Sequence, residues 1–176
     1  MQQIVLDSSA VILLSKCGLL EKACSSFELV APALVIQETA SKELAGKYPD
    51  AALVRELVSR RLLRIEKPSS TRIRIPLVLH QGEKEALLLA LSLPGSVLAT
   101  NDRKAIKAAR LLKVPIVITP RIVVALSRLG KISVNTARTA IQKLGIVGRY
   151  SPDILAEAIL SLTEGNNGKT NNNKGT

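Results

Sequence analysis

The chain has 176 residues, 47% of them hydrophobic and only 2% aromatic, so Leu, Val, Ile and Ala must build one sizeable core and base-stacking platforms such as those of OB folds are excluded. It carries 25 Lys/Arg against 14 Asp/Glu, a formal charge of +11, and no run of about 18 or more apolar residues that would span a membrane. The N-terminus lacks a basic stretch followed by an adequate apolar segment, so a signal peptide is not expected and the chain reads as cytoplasmic.

Taken in order, residues 2–7 read as a buried strand and Ser9 to Lys16 as a helix capped by the preceding serines. Gly18 ends it, and a short helix over 19–24 follows. Phe27–Val30 read as a second strand, and Pro32 opens a helix that carries Glu38. Pro49-Asp50 precede a helix over 51–62, whose Leu53, Val54, Leu57, Val58 and Leu62 keep helical spacing. Residues 63–66 read as a third strand and 67–76 as a basic loop. Glu83–Leu93 form a strong helix that Pro94-Gly95 stop, and 96–100 a fourth strand. Arg103–Lys113 read as a helix and 114–118 as a fifth strand. Three helices follow, over 120–129, 135–144 and 151–162, with Gly130 and Gly145 as stops. From Gly165 the composition is that of a disordered tail.

Strands alternating with helices imply an α/β fold around a parallel sheet. Four acids stand in marked settings: Asp7 after Ile4-Val5-Leu6, Glu38 in its helix, Glu83 after Gly82, and Asp102 after Val97-Leu98-Ala99. Open α/β sheets place working groups beyond the carboxyl ends of their strands. If these four converge, they make an oxygen-rich site for a hard cation such as Mg²⁺ or Mn²⁺, suited to phosphodiester hydrolysis. Glu85 lies two residues from Glu83 on the same helix and cannot share its direction.

The basic charge is uneven. Residues 103–149 hold eleven Lys/Arg and no acid, and Arg60, Arg61, Arg64, Lys67, Arg72 and Arg74 form a smaller cluster. Such a distribution suits a polyanion, most simply RNA or DNA. Arg103, Lys104, Lys107 and Arg110, which follow Asp102 directly, are the expected RNA contacts. Cys17 and Cys24 read as thiols within helices, and His80, the single histidine, as structural.

The motifs Ile4-Val5-Leu6-Asp7-Ser8-Ser9, Pro32-Ala33-Leu34-Val35-Ile36-Gln37-Glu38, Gly82-Glu83-Lys84-Glu85-Ala86 and Leu98-Ala99-Thr100-Asn101-Asp102 together resemble the PIN-domain (PilT N-terminus) nucleases over residues 2–126. The resemblance implies a Rossmann-like three-layer α/β/α sandwich with a central parallel sheet and a helical C-terminal extension. It divides the chain into a PIN-like domain over 1–126, an extension over 127–163 packed on it, and a disordered tail over 164–176. It implies an endoribonuclease in which Asp7, Glu38, Glu83 and Asp102 hold one or two Mg²⁺ or Mn²⁺ ions. Ser9 and Thr100 would orient the carboxylates, with Ser8 and Asn101 as weaker candidates. The chain departs from relatives that carry an acid pair where it has Asn101-Asp102, which lowers the site charge by one.

The protein is then either the toxin of a toxin–antitoxin pair, with an antitoxin partner and a possible homodimer, or a stand-alone RNA-processing enzyme. The alternative is a PIN-like module that binds RNA or protein without cleaving, although such a binder gains nothing from acids set against phosphate. A haloacid-dehalogenase phosphatase would want an acid where Ser9 stands, and the order of acids and lysines does not match a receiver domain.

Overall fold

The computed structural model describes residues 2–69 and 73–164; Arg72 and the expected tail beyond Glu164 lie outside these residues. Five strands form one parallel sheet: β1 (Gln3–Leu6), β2 (Glu28–Ala31), β3 (Leu63–Ile65), β4 (Val97–Ala99) and β5 (Ile116–Val117). Their spatial order is β3-β2-β1-β4-β5. Helices flank the sheet, which gives the expected α/β/α sandwich. β1 sits at the centre, paired with β2 on one side (Ile4 to Leu29) and β4 on the other (Leu6 to Ala99). The apolar run read as a buried strand is buried, with Val5, Leu6, Val30 and Ala99 of the central strands fully so, whereas β3 exposes Arg64 and Ile65 and β5 is half-buried.

Contacts between residues divide the chain into two compact units, residues 1–119 and 120–176. The first unit holds the sheet and helices α1 (Ser8–Lys16), α2 (Leu20–Cys24), α3 (Ala33–Ala40), α4 (Lys42–Lys47), α5 (Pro49–Ser59), α6 (Gln81–Ser92) and α7 (Arg103–Leu111). Its core sets Val5, Val30 and Leu98 of the sheet against Ala86, Leu87, Leu89 and Ala90 of α6 and Ala108 and Ala109 of α7. Small residues on α6 and α7 let backbones approach closely where aromatics are scarce. Cys24 belongs to this interior, and burial pushes its thiol up to about 12, which leaves it unreactive.

Helix α4 has no counterpart in the expected elements. None of its six residues is buried, so it shows no apolar period; Ser41 caps it, and one Lys47–Glu43 pair spans a single turn. The second unit comprises α8 (Thr119–Arg128, beginning on the last residue of the first unit), α9 (Val134–Val147) and α10 (Pro152–Glu164). Gly130, with φ of +70°, ends α8 as expected. Gly145 does not end α9, which runs on to Val147. A Cβ at Gly145 would stand 2.9 Å from Leu155 Cδ1, so this glycine serves the close approach of α9 and α10 instead. Arg121–Glu157 and Arg128 to the Ser161 carbonyl (3.1 Å) tie α8 to α10 within that unit.

Candidate functional site

The sheet order creates a switch point: the chain moves from β1 outward through β2 to β3, then returns to β4 on the other side of β1. At such a point the loops beyond adjacent strands diverge and open a crevice at their carboxyl ends. Asp7 follows β1 and Asp102 follows β4, the two strands that flank the switch. The Asp7 amide still belongs to the ladder, donating to the Ala99 carbonyl at 3.1 Å, while its side chain leaves the sheet.

Asp7 is 1% exposed. Its Oδ1 accepts the Ser9 hydroxyl at 2.7 Å and the Ala10 amide at 2.8 Å, which makes it the N-cap of α1. Its Oδ2 is buried and has no hydrogen-bond partner. Burial raises the Asp7 pKa, against the opposing pull of Thr100, the Ala10 amide and Ser9, and the charge of Asp102 raises it further. The Thr100 hydroxyl is the largest of these opposing pulls on Asp7, and it also accepts the Asp102 amide at 3.3 Å.

Asp102 caps α7, its Oδ1 accepting the amides of Lys104 (2.7 Å) and Ala105 (2.9 Å). Glu83 lies in the first turn of α6, and its Oε2 accepts the His80 amide at 3.1 Å. Partial burial raises the Glu83 pKa, and the charges of Asp102 and Asp7 add to the rise, so three of the four acids share one field. Glu38 is more exposed, accepts the Ser8 hydroxyl, and lies against the Gly82 backbone. A Cβ on Gly82 would be 2.9 Å from Glu38 Cδ and 3.0 Å from Oε1.

Every expected acid is thus placed in the first unit, with Asp7, Glu83 and Asp102 coupled electrostatically and Glu38 beside Gly82 and Ser8. As placed, no three of them among the described residues stand close enough to hold one ion. Each is engaged in a local bond to a helix terminus or hydroxyl, and mutual repulsion favours that spread.

The Ser9 hydroxyl, bonded to Asp7, also receives bonds from the β4 side of the crevice. Thr119 leaves no signal in the amino-acid sequence as a partner of these residues. The Asn101 backbone amide (3.0 Å) and Nδ2 (3.3 Å) both donate to Ser9 Oγ. Asn101 Nδ2 also donates to Thr119 Oγ1 at 2.9 Å, and Asn101 Oδ1 accepts the Thr119 amide at 3.0 Å. Glu85 accepts a long bond from Gln81 Nε2 (3.5 Å) and lies apart from these contacts.

Arg103, Lys104, Lys107 and Arg110 are all exposed on α7, whose buried face is Ala105, Ala108 and Ala109. No ion pair among the described residues engages them. The smaller basic cluster differs: Arg60 pairs with Glu21 and Glu56, and Arg64 with Glu28 and Glu66, so two of its charges are spent internally.

Acids at the ends of β1 and β4, on either side of the switch point, are joined by one more observation: the family described as DUF3368, a PIN domain, matches residues 3–165. The chain belongs to this PIN-domain family. No curated protein and no solved structure matches it. PIN domains are in general nucleases, which places this one coarsely among the hydrolases, and they generally use divalent metal ions. The donor chemistry of this PIN domain fits such an ion: four carboxylates, no sulfur or imidazole among them, and a buried Asp7 oxygen without a partner. Among the described residues, no helix is long and apolar enough to cross a membrane.

Proposed function

We propose that this PIN domain is a metal-dependent endoribonuclease. The observation that carries the reading is the Asp7 carboxylate, buried at a sheet switch point with one oxygen unpartnered and two further acids raising or sharing its field. An unpaired buried carboxylate destabilises a fold unless a ligand uses it. Asp7, Glu38, Glu83 and Asp102 would hold Mg²⁺ or Mn²⁺, with Glu83 and Glu38 turning from their present partners. When bound, the metal supplies Lewis acidity and offsets the charge that develops at phosphorus as water attacks.

The protein's own groups do the remaining work. Ser9 and the Ala10 amide hold Asp7 Oδ1, so that Oδ2 is the oxygen left to a cation. Arg103, Lys104, Lys107 and Arg110 offer exposed charge to RNA phosphates along the helix that Asp102 caps. Either role, toxin with an antitoxin over the acids or stand-alone processing enzyme, uses the same chemistry; in the first case an antitoxin arginine would pair with the carboxylates.

The test is cleavage of labelled single-stranded RNA by the full chain with Mg²⁺, Mn²⁺ or EDTA, beside Asp7→Asn. Cleavage that needs metal and is lost in the variant is the expected result. Salt-sensitive RNA binding with no cleavage under any of these conditions would replace the reading with a non-catalytic RNA-binding module.

A further inference from the structure

Resting on that reading, we propose that Asn101 is a positioning residue of the site, clamped by Thr119 and acting on Asp7 through the Ser9 hydroxyl. A serine hydroxyl has one proton to give and two lone pairs to receive. The Asn101 backbone amide and Nδ2 both donate to Ser9 Oγ, at 3.0 and 3.3 Å, and so occupy its acceptor side. The single Ser9 proton is thereby committed to Asp7 Oδ1, at 2.7 Å. With the Ala10 amide as second donor to the same oxygen, Asp7 is fixed with Oδ2 unpartnered.

Asn101 is held in its own turn. The Thr119 amide can only donate, so the oxygen accepting it at 3.0 Å is Oδ1, and the atom facing Ser9 and Thr119 Oγ1 is the NH₂ group. Thr119 is fully buried, which makes it a rigid anchor. This gives a physical reason for asparagine rather than aspartate at this position. An aspartate would still accept from the Thr119 amide, but it would lose both side-chain donor bonds. It would also offer the Ser9 hydroxyl a rival acceptor, and the proton now committed to Asp7 would be shared.

The experiment is a double-mutant cycle on the full chain with Asn101→Ala, Ser9→Ala and the double variant. Mn²⁺ affinity is read by calorimetry, RNA cleavage is split into kcat and KM, and folding is checked by thermal melting. Ser9→Ala should weaken Mn²⁺ binding by about tenfold or more, as loss of a partner of a metal ligand does, and Asn101→Ala, one bond further out and with its backbone amide still on Ser9, by about two- to fivefold. Both should lower kcat with little change in KM, and the double variant should be no worse than the worse single one, because both act through one bond to Asp7. Fully additive losses, or unchanged Mn²⁺ affinity in a folded Asn101→Ala protein, would overturn the clamp while leaving the nuclease reading intact. A wild-type chain that takes up no Mn²⁺ and cleaves no RNA would overturn both. If Asn101→Ala does not fold, Thr119→Val removes the hydroxyl anchor while keeping shape and the backbone donor. It should weaken Mn²⁺ by about two- to fivefold, a smaller loss than that expected for a residue bonded to a ligand directly, and no change there counts against the clamp.

Discussion

Asp7 carries opposed demands. Its raised pKa means that folding disfavours the ionised form, with burial the largest cause. A carboxyl whose folded pKa is raised contributes stability that is fully present below its unfolded value and is lost as pH rises through the folded one. For Asp7 and Glu83 that window opens at their ordinary values of 3.8 and 4.5 and extends upward. Metal-free Asp7→Asn should therefore melt at least about 2 °C above wild type at neutral pH, with the gap closing as pH falls towards 3.8, while RNA cleavage is lost. A melting point that drops in the variant at neutral pH would contradict the burial argument. Gly82 makes the complementary case. In Gly82→Ala the new Cβ meets the Glu38 carboxylate, the movable end of a flexible side chain, while alanine favours helix α6. Melting should stay level or rise, and cleavage should fall by about tenfold or more because a carboxylate is displaced.

At the scale of elements, α7 shows how local sequence suffices. Asp102 caps it, alanines face the core, and Arg103, Lys104, Lys107 and Arg110 face outward, all legible from spacing. Replacing Lys104, Lys107 and Arg110 with Ala one at a time should weaken RNA binding across sequences. Each loss should reduce the salt slope by about 0.7, read from affinities at several salt concentrations. An unchanged slope would remove α7 from the RNA path. The strands were equally legible, because buried parallel strands are short apolar runs. Helix α4 and the continuation of α9 through Gly145 were not. The first buries nothing and leaves no periodic trace, and the second depends on Leu155, which lies ten residues on.

At the scale of the whole molecule, a ligand that binds only the folded protein must stabilise it. Mn²⁺ at a hundredfold excess over its Kd should add about 2.7 kcal/mol, seen as a rise in melting temperature of about 5–10 °C for a domain of this size. EDTA should reverse it, and Asp7→Asn should show no such rise; equal shifts in both proteins would place the ion elsewhere.

The amino-acid order by itself determined the strands, most of the helices, and the placing of Asp7, Glu83 and Asp102 at helix starts, because those choices follow from burial period and capping within a few residues. The pairing of β1 with β4 was decided only in three dimensions, since nothing local records which strand lies beside which. That pairing alone brings Asn101 to Ser9 across 92 residues of chain. The contact of Glu38 with Ser8 and Gly82 is of the same kind. These bonds join residues distant in sequence, and their existence depends on the closing of the sheet and on the packing of α3 and α6.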